Sequence, residues 1–288
     1  NQVILESMTF PAPVIDVSIE PKTKAGQEKM GIALSKLAEE DPTFKAYTDE
    51  ETGQTIIAGM GELHLDVIAR RIKDDFGIDI HVGKPQVVYK ETIEKQVHIE
   101  HSFEKTINNI NYKGYVSIDV SPGIRGEGIK ITSQISEEHP AYPYLQAIEE
   151  GILEASNIGV LKGFPITDIE VLVKDASFSS PEFARLTLKM AAYEAFRKGC
   201  VDASPVLLVP IMSLTVTTPN EFLGDIISDL NARKCQILSI ITKEKITVLN
   251  AHAPLTNMFG YSTDVRSLSQ GRASFTMFFS HYDRIENG

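Results

Sequence analysis

The sequence predicts an α+β protein of three domains, at residues 1–85, 86–208 and 209–288. Two observations lead there. The element order β-α-β-β-α-β can be read at each end of the chain, and it is the split βαβ plan of ferredoxin-like domains. The stretch between gathers its strands first and its helices later, the pattern of a separate α+β domain. Length agrees, because 288 residues exceed one small domain. A hydrophobic fraction of 42% supplies apolar surface for several cores.

The first segment opens extended, since Pro11 and Pro13 break any helix before Val14. Ile15, Val17 and Ile19 alternate with Asp16 and Ser18, as in a half-buried strand. A helix from about Ala25 to Glu40 puts Met30, Ala33, Leu34, Leu37 and Ala38 on one face, and Asp41-Pro42 stops it. Strands at Phe44–Thr48 and Gln54–Met60 follow, joined by an acidic turn at Asp49–Gly53. A second helix, about Glu62 to Phe76, buries Leu65, Ile68, Ile72 and Phe76; Gly77 ends it before a strand at Ile78–Val82.

In the middle segment, strands are expected at Val97–Lys105, Tyr115–Val120 and Ile129–Ser136, with Gly123–Gly128 as a hairpin turn. A helix spans Tyr144 to Ser156, a strand Ile166–Lys174, and Asp175–Ser180 is a polar loop. Ser180 as N-cap and Pro181 at the first helical position start a helix to about Lys198 that buries Phe183, Leu186, Met190 and Tyr193. The last segment has a strand at Ile211–Thr217, then Thr218-Pro219-Asn220-Glu221 in a capping-box pattern. Its first helix buries Leu223, Ile226, Ile227 and Leu230; strands at Ile237–Ile241 and Ile246–His252, a helix from Met258 to Leu268 and a strand at Arg272–Tyr282 complete the order.

Composition excludes more than it identifies. A net charge of −11 argues against nonspecific coating of nucleic acid, but not against a shaped RNA contact. Residues 209–288, with 7 basic and 7 acidic side chains, are the segment best suited to approach phosphate. No apolar run has the length of a membrane span, so no membrane partner is expected. Two cysteines, Cys200 and Cys235, make no disulfide framework, and a reducing cytoplasm is the expected location. The chain starts without Met, which reads as a piece cut from a longer protein. No G-x-x-x-x-G-K-[ST] stretch occurs. His98-Ile99-Glu100-His101 is not a zinc motif, since its histidines would leave a strand on opposite faces. No nucleophile–base or metal spacing points to an independent enzyme.

Several stretches together resemble one family. Ala58-Gly59-Met60-Gly61-Glu62-Leu63-His64-Leu65-Asp66 is closely similar to a signature of elongation factor G, a translational GTPase. Glu20–Lys24, Glu39–Phe44 and Glu50–Gln54 match upstream, and Thr217–Pro219, Gly224-Asp225, Asp229–Arg233, Met258–Tyr261 and Ser269–Arg272 match downstream. The resemblance covers almost the whole chain and implies the domains called III, IV and V, the middle one like domain 2 of ribosomal protein S5. It implies a monomer that meets the ribosome. GTP and Mg would be held by a GTPase domain outside these residues, with no cofactor in this chain.

The resemblance also implies site residues. Pro42, Thr43, Gly59, Gly61, Leu63, His64 and Arg71 match positions that face the GTPase domain. His64 either packs locally or helps to form that cleft; neither reading makes it a catalytic base. Tyr261, Arg266, Gln270 and Arg272 match an rRNA-contacting surface near the factor-binding centre, where phosphate and sugar contacts dominate. Phe259 and Tyr261 either stack on RNA or fill the core, and core is favoured for Phe259. Cys235 stands where the family has a left-handed Gly, which implies an altered helix cap.

The middle domain departs from the pattern. Two tip loops, carrying Asn109, Asn111 and Lys113 and then Ser177, Phe178, Ser179 and Ser180, would meet tRNA and mRNA at the decoding site. The second is about four residues shorter than in translocating members of the family and lacks their His. Neutral drift accounts for this, or the protein is a specialised paralogue acting in ribosome recycling with ribosome recycling factor. A different-class alternative is a stand-alone RNA-binding protein.

Overall fold

The computed structural model describes residues 13–49, 54–107 and 110–284. Those residues form two compact units, one from 13–88 with 209–281 and the other from 89–208 with 282–284. Among them, no helix is long and apolar enough to cross a membrane.

The first segment contains β1 (Ile15–Pro21), α1 (Lys24–Glu40), β2 (Lys45–Thr48), β3 (Thr55–Gly59), α2 (Glu62–Asp74), β4 (Ile80–Val82) and β5 (Gln86–Val87). Its sheet runs β2-β3-β1-β4, with β5 also on β1. Thr23 caps α1 through a bond from Gly26 N to its hydroxyl, 3.1 Å. Met30, Ala33, Leu34 and Leu37 are buried, as are Val17, Ile19 and Ile57 of the sheet. Phe76 lies past the end of α2 and is half-buried, because Gly77 at φ +66° turns the chain away first.

The second unit contains β6 (Lys90–Ile93), β7 (Val97–Ile107), β8 (Ile110–Pro122), β9 (Ile129–Ser133), α3 (Leu145–Ser156), β10 (Ile169–Phe178) and α4 (Pro181–Asp202). The sheet runs β7-β8-β10-β9. The expected hairpin at Gly123–Gly128 is therefore wrong, because β10 lies between β8 and β9 and pairs in parallel with β9. The glycine segment instead wraps a buried carboxylate: Asp168 Oδ1 accepts from Gly126 N and Gly128 N, each at 3.1 Å. The expected loop Asp175–Ser180 is also wrong. After a bulge at Val173/Asp175, β10 continues to Phe178, which pairs with Gly114.

Helix α4 turns a different face inward from the expected one. Leu186 is exposed and Phe183, Met190 and Tyr193 are half-buried, while Ala184, Leu188, Ala191, Ala192, Ala195 and Phe196 form the buried face. The reason is close approach of both the sheet and α3: a Cβ at Gly114 of β8 would lie 2.5 Å from the Thr187 backbone. A Cβ at Gly151 would lie 2.2 Å from the Lys189 carbonyl oxygen. Small residues fit that seam where large ones do not.

The third segment contains β11 (Pro205–Pro219), α5 (Leu223–Ala232), β12 (Gln236–Thr242), β13 (Ile246–Pro254), α6 (Tyr261–Leu268) and β14 (Ser274–Asp283). The order β12-β13-β11-β14 repeats that of the first sheet. The expected capping box does not form. Thr218 lies within β11, paired with Thr247, a 3-10 turn at Asn220–Phe222 precedes α5, and Glu221 pairs with Arg272 at 2.7 Å. The altered cap at Cys235 is likewise absent. Lys234 takes the left-handed conformation, φ +57°, and Cys235 N bonds Leu230 O at 2.9 Å. This frees the Cys235 side chain for the core. Cys200 and Cys235 are both buried free thiols, pushed by that burial up to about 12 and about 11 respectively.

Gly151→Ala is expected to destabilise the chain by at least about 2 kcal/mol, since helix backbones in contact must separate. Urea unfolding checks this; Gly31→Ala, where an added Cβ meets nothing within 4 Å, is the control and should be neutral or stabilising.

Candidate functional site: a groove beside the start of α2

The turn from β3 into α2 is built around His64. Met60 N donates to His64 Nδ1 at 3.1 Å. That places the proton of the neutral ring on Nε2, which donates to Asp41 Oδ2 at 2.9 Å. Asp41, the residue after α1, also accepts from Thr43 N (2.8 Å) and Thr43 Oγ1 (2.6 Å) through Oδ1. Burial raises the Asp41 pKa, but the two bonds from Thr43 and the nearby His64 outweigh it and hold the carboxyl below its ordinary value of 3.8. Gly59 lies against this ring, since a Cβ there would be 2.9 Å from His64 Nδ1 and 2.8 Å from Leu65 Cδ2. Gly61 is different. Its backbone is extended, φ 166°, and an added Cβ would meet nothing within 4 Å.

Beside this turn lies a groove of about 540 Å³, shared by the β3–α2 turn and strand β14. Its lining includes Thr43, Gly61, Leu63 and His64, with Phe275–Phe279 opposite. Leu63 and Phe278 are 49% and 67% exposed. Glu62 ties the α2 side to the third segment, its Oε2 accepting from Gly260 N at 3.1 Å just ahead of α6. Pro42 and Arg71 do not line the groove. Arg71 is held between Glu40 (2.8 Å) and Asp75 (3.0 Å). Sequence reasoning missed Asp41, Glu62 and Phe278. An Asp before Pro-Thr at a helix end is a readable turn signal for the first; nothing local marks the other two.

The tip residues of the second unit are brought together only in part. Asn109 lies outside the described residues. Asn111 and Lys113 sit on the β7–β8 hairpin, both bound to Glu104, at 3.2 Å and 3.3 Å. Ser177 and Phe178 belong to β10, and the Phe178 ring packs edge-on against Tyr144. Ser179 N bonds Lys113 O and Lys113 N bonds Ser179 Oγ, both at 2.9 Å. Ser180 precedes α4 without a side-chain cap bond. The corner from β10 into α4 therefore ends level with Lys113, and the hairpin projects beyond it.

On the third domain, Tyr261 is not a surface residue. It is 1% exposed, packs edge-on against Phe275 and lies under the Arg233 guanidinium. An aromatic ring at the start of α6 is drawn inward by the apolar core, and even its hydroxyl is buried without a partner. Arg266 is exposed, and Gln270 and Gly271 form a left-handed turn at φ +52° and +77°. Arg272 pairs with Glu221 and lies 4.5 Å over the Phe222 ring.

Asp41→Ala is expected to lower stability at neutral pH and to do so less as the solution is acidified. A carboxyl whose folded pKa is depressed contributes above its unfolded value, and that contribution is lost as pH falls through the folded one. Melting curves of both proteins between about pH 7 and about pH 2 should therefore converge at the acid end; a constant gap would remove the ionised carboxylate from the account.

Three family models match the chain in order: Elongation Factor G, domain III, at residues 10–84; Elongation factor G, domain IV, at 85–204; and Elongation factor G C-terminus at 206–288. The crystal structure of ttk003000868 from Thermus thermophilus is similar over 98% of this chain, at 34% identity and a TM-score of 0.75. That match takes in 42% of the other protein, so this chain spans less than half its length. Domain by domain and in the same order, the chain belongs to the elongation factor G family.

Proposed function

We propose that the chain is the ribosome-engaging portion of a GTP-driven translation factor, with the groove beside α2 as the seat of its GTPase domain. The observation that carries this is the pairing of rigidity with exposed apolar surface. His64 and Asp41 fix the α2 wall of the groove and Glu62 ties it to the start of α6, yet Leu63 and Phe278 are left open on the groove. A fixed wall with apolar anchors suits a protein neighbour that moves as a body. GTP and Mg belong to that neighbour, where phosphoryl chemistry is carried out by positioned charges. The cytoplasm follows from that role.

Arg266 and the Gln270-Gly271 turn support a phosphate-backbone contact with rRNA. Arg272 contributes less, because Glu221 already neutralises it. In the complete factor, Arg266→Ala is expected to weaken ribosome binding and to lower the salt slope by about one. Arg272→Ala should change both by less. Filter binding over a salt series distinguishes them; equal effects would discard the role given to Glu221.

A second reading concerns the ribosomal step. The β10–α4 corner stops level with Lys113, three residues short of Ile110 on the hairpin, which is about 10 Å at strand rise. Glu104 also neutralises Lys113. One narrow hairpin, whose exposed cation beside the paired Lys113 is Lys105, is poorly matched to holding tRNA and mRNA, and this favours ribosome recycling with ribosome recycling factor over translocation. Toeprinting with the complete factor and GTP is expected to show slow, low-turnover movement, while subunit splitting with recycling factor proceeds. Fast multiple-turnover translocation would return the short corner to neutral drift.

A further inference from the structure

The outer strand β12 is a seven-residue rim with no ionisable side chain along its whole length. It bonds only to β13 and ends its sheet. A free rim presents unpaired N–H and C=O groups, and proteins ordinarily blunt it with charge, proline or cover. Most other rims carry charge: β2 has Lys45, β4 His81, β7 His98 and Glu100, and β9 Lys130, while β5 is only two residues long and β14 has its ionisable groups, His281 and Asp283, at its far end. Strand β12, Gln-Ile-Leu-Ser-Ile-Ile-Thr, carries no ionisable side chain. One bulge, at Ile237/Ser239, interrupts it and leaves Ser239–Thr242 in regular register with Asn250–Thr247.

The surface around this rim is both apolar and cationic at its ends. Leu238, Ile240, Ile241 and Ile246 are 52%, 44%, 52% and 42% exposed. Lys234 precedes the strand, and Lys243 and Lys245 stand exposed after it, none of them in an ion pair among the described residues. Glu244 is the single acid in that turn. The turn is held in place by Asn220, whose side-chain amide donates to the carbonyls of Lys243 and Glu244 at 3.3 Å each. A second copy of β12 laid antiparallel would set Lys234 against Lys243 and Lys245, and like charges facing one another repel. RNA would satisfy the lysines but not the aliphatic row, and no aromatic ring lies between residues 234 and 246 to stack a base.

We infer that the β12 rim receives an extended segment of another polypeptide as an added strand, with apolar residues at alternate positions and carboxylates at both ends. Main-chain bonds to Ser239–Thr242 give the pairing, Ile240 and Ile241 meet its apolar residues on the two faces, and Lys234 with Lys243 and Lys245 meet its acidic ends. The surface is separate from the groove beside α2, so the proposal stands or falls without it.

The test is amide exchange by NMR on the whole chain with a capped octapeptide, valine and threonine alternating in its middle and two acidic residues at each end. At millimolar peptide, amides within Ser239–Thr242 are expected to exchange at least about fivefold more slowly. The double variant Lys234→Glu/Lys243→Glu should bind it at least about tenfold more weakly. Neither side chain is buried, so folding is retained, and unchanged exchange in α5 verifies it. Absence of protection, binding indifferent to the charge reversal, protection of the same amides by oligouridine but not by peptide, or self-association through β12 in sedimentation would each overturn the proposal.

Discussion

The first unit depends on how one imidazole spends its two nitrogens. His64 Nδ1 can accept from Met60 N only while the ring proton sits on Nε2, and that proton is directed at Asp41. The end of α1, the start of α2 and the peptide that follows β3 are thereby fixed by a single ring. Gly59 has no side chain because the ring and Leu65 fill that space. Glu62, two residues before His64, extends the same rigidity to Gly260. A short run of sequence thus shapes one wall of the groove and ties it to the start of α6, with Leu63 facing outward on it.

The second unit uses buried carboxylates for a comparable purpose. Glu91 is 1% exposed and accepts from Leu161 N, Lys162 N and Phe164 N at 2.8, 2.7 and 3.1 Å. Gly159 sits where any Cβ would lie 2.3 Å from the Glu91 Cδ. Asp168, itself in a left-handed conformation at φ 59°, gathers the amides of Gly126 and Gly128 in the same way. Backbone N–H groups that a loop would otherwise leave unpaired are satisfied, and each carboxylate is held by several donors rather than by one counter-ion. Loops of irregular sequence become as fixed as strands, so the sheet of this unit can carry a long hairpin beyond its own core.

Much of this was legible in the sequence. The βαββαβ order at both ends followed from period-two runs at Ile15–Ile19 and period-3.6 runs at Met30–Leu37, and both terminal sheets are built from those elements. The failures share a cause. Phe183, Leu186, Met190 and Tyr193 fit a helical face by size, but α4 packs so near β8 and α3 that small residues take much of the inner side, a constraint set by Gly114 and Gly151 on other elements. Asp175–Phe178 looked polar enough for a loop because one face of β10 is solvated; its pairing with β8 is a long-range fact. Of the groove, the β3–α2 turn was readable from its glycines and His64, while Phe278 was not, since it lies some 200 residues away and alternates like any outer-strand residue.

The family stretches of the third domain divide by direction, and the division bears on what each can do. Arg233 bonds Asp229 and the carbonyl of Asn257, pairs with Asp264 and covers Tyr261, while Asn257 Nδ2 returns a bond to the Arg233 carbonyl. Asp229–Arg233 and Met258–Tyr261 are thus two halves of one internal clamp between α5 and α6. Their chemistry is spent inside the domain: the Arg233 donors are occupied and the Tyr261 ring is 1% exposed. Ser269–Arg272 is the exception, because Ser269 is buried, its hydroxyl bonded to Val265 O and accepting from Ala273 N, and this turns Gln270 outward. A clamp that holds α6 rigid beneath an outward turn is what a backbone-reading surface requires, since phosphate contacts position a partner only when the groups making them are themselves fixed. In the proposed rRNA contact, the inward residues act through Arg266 and Gln270, and not by contact of their own.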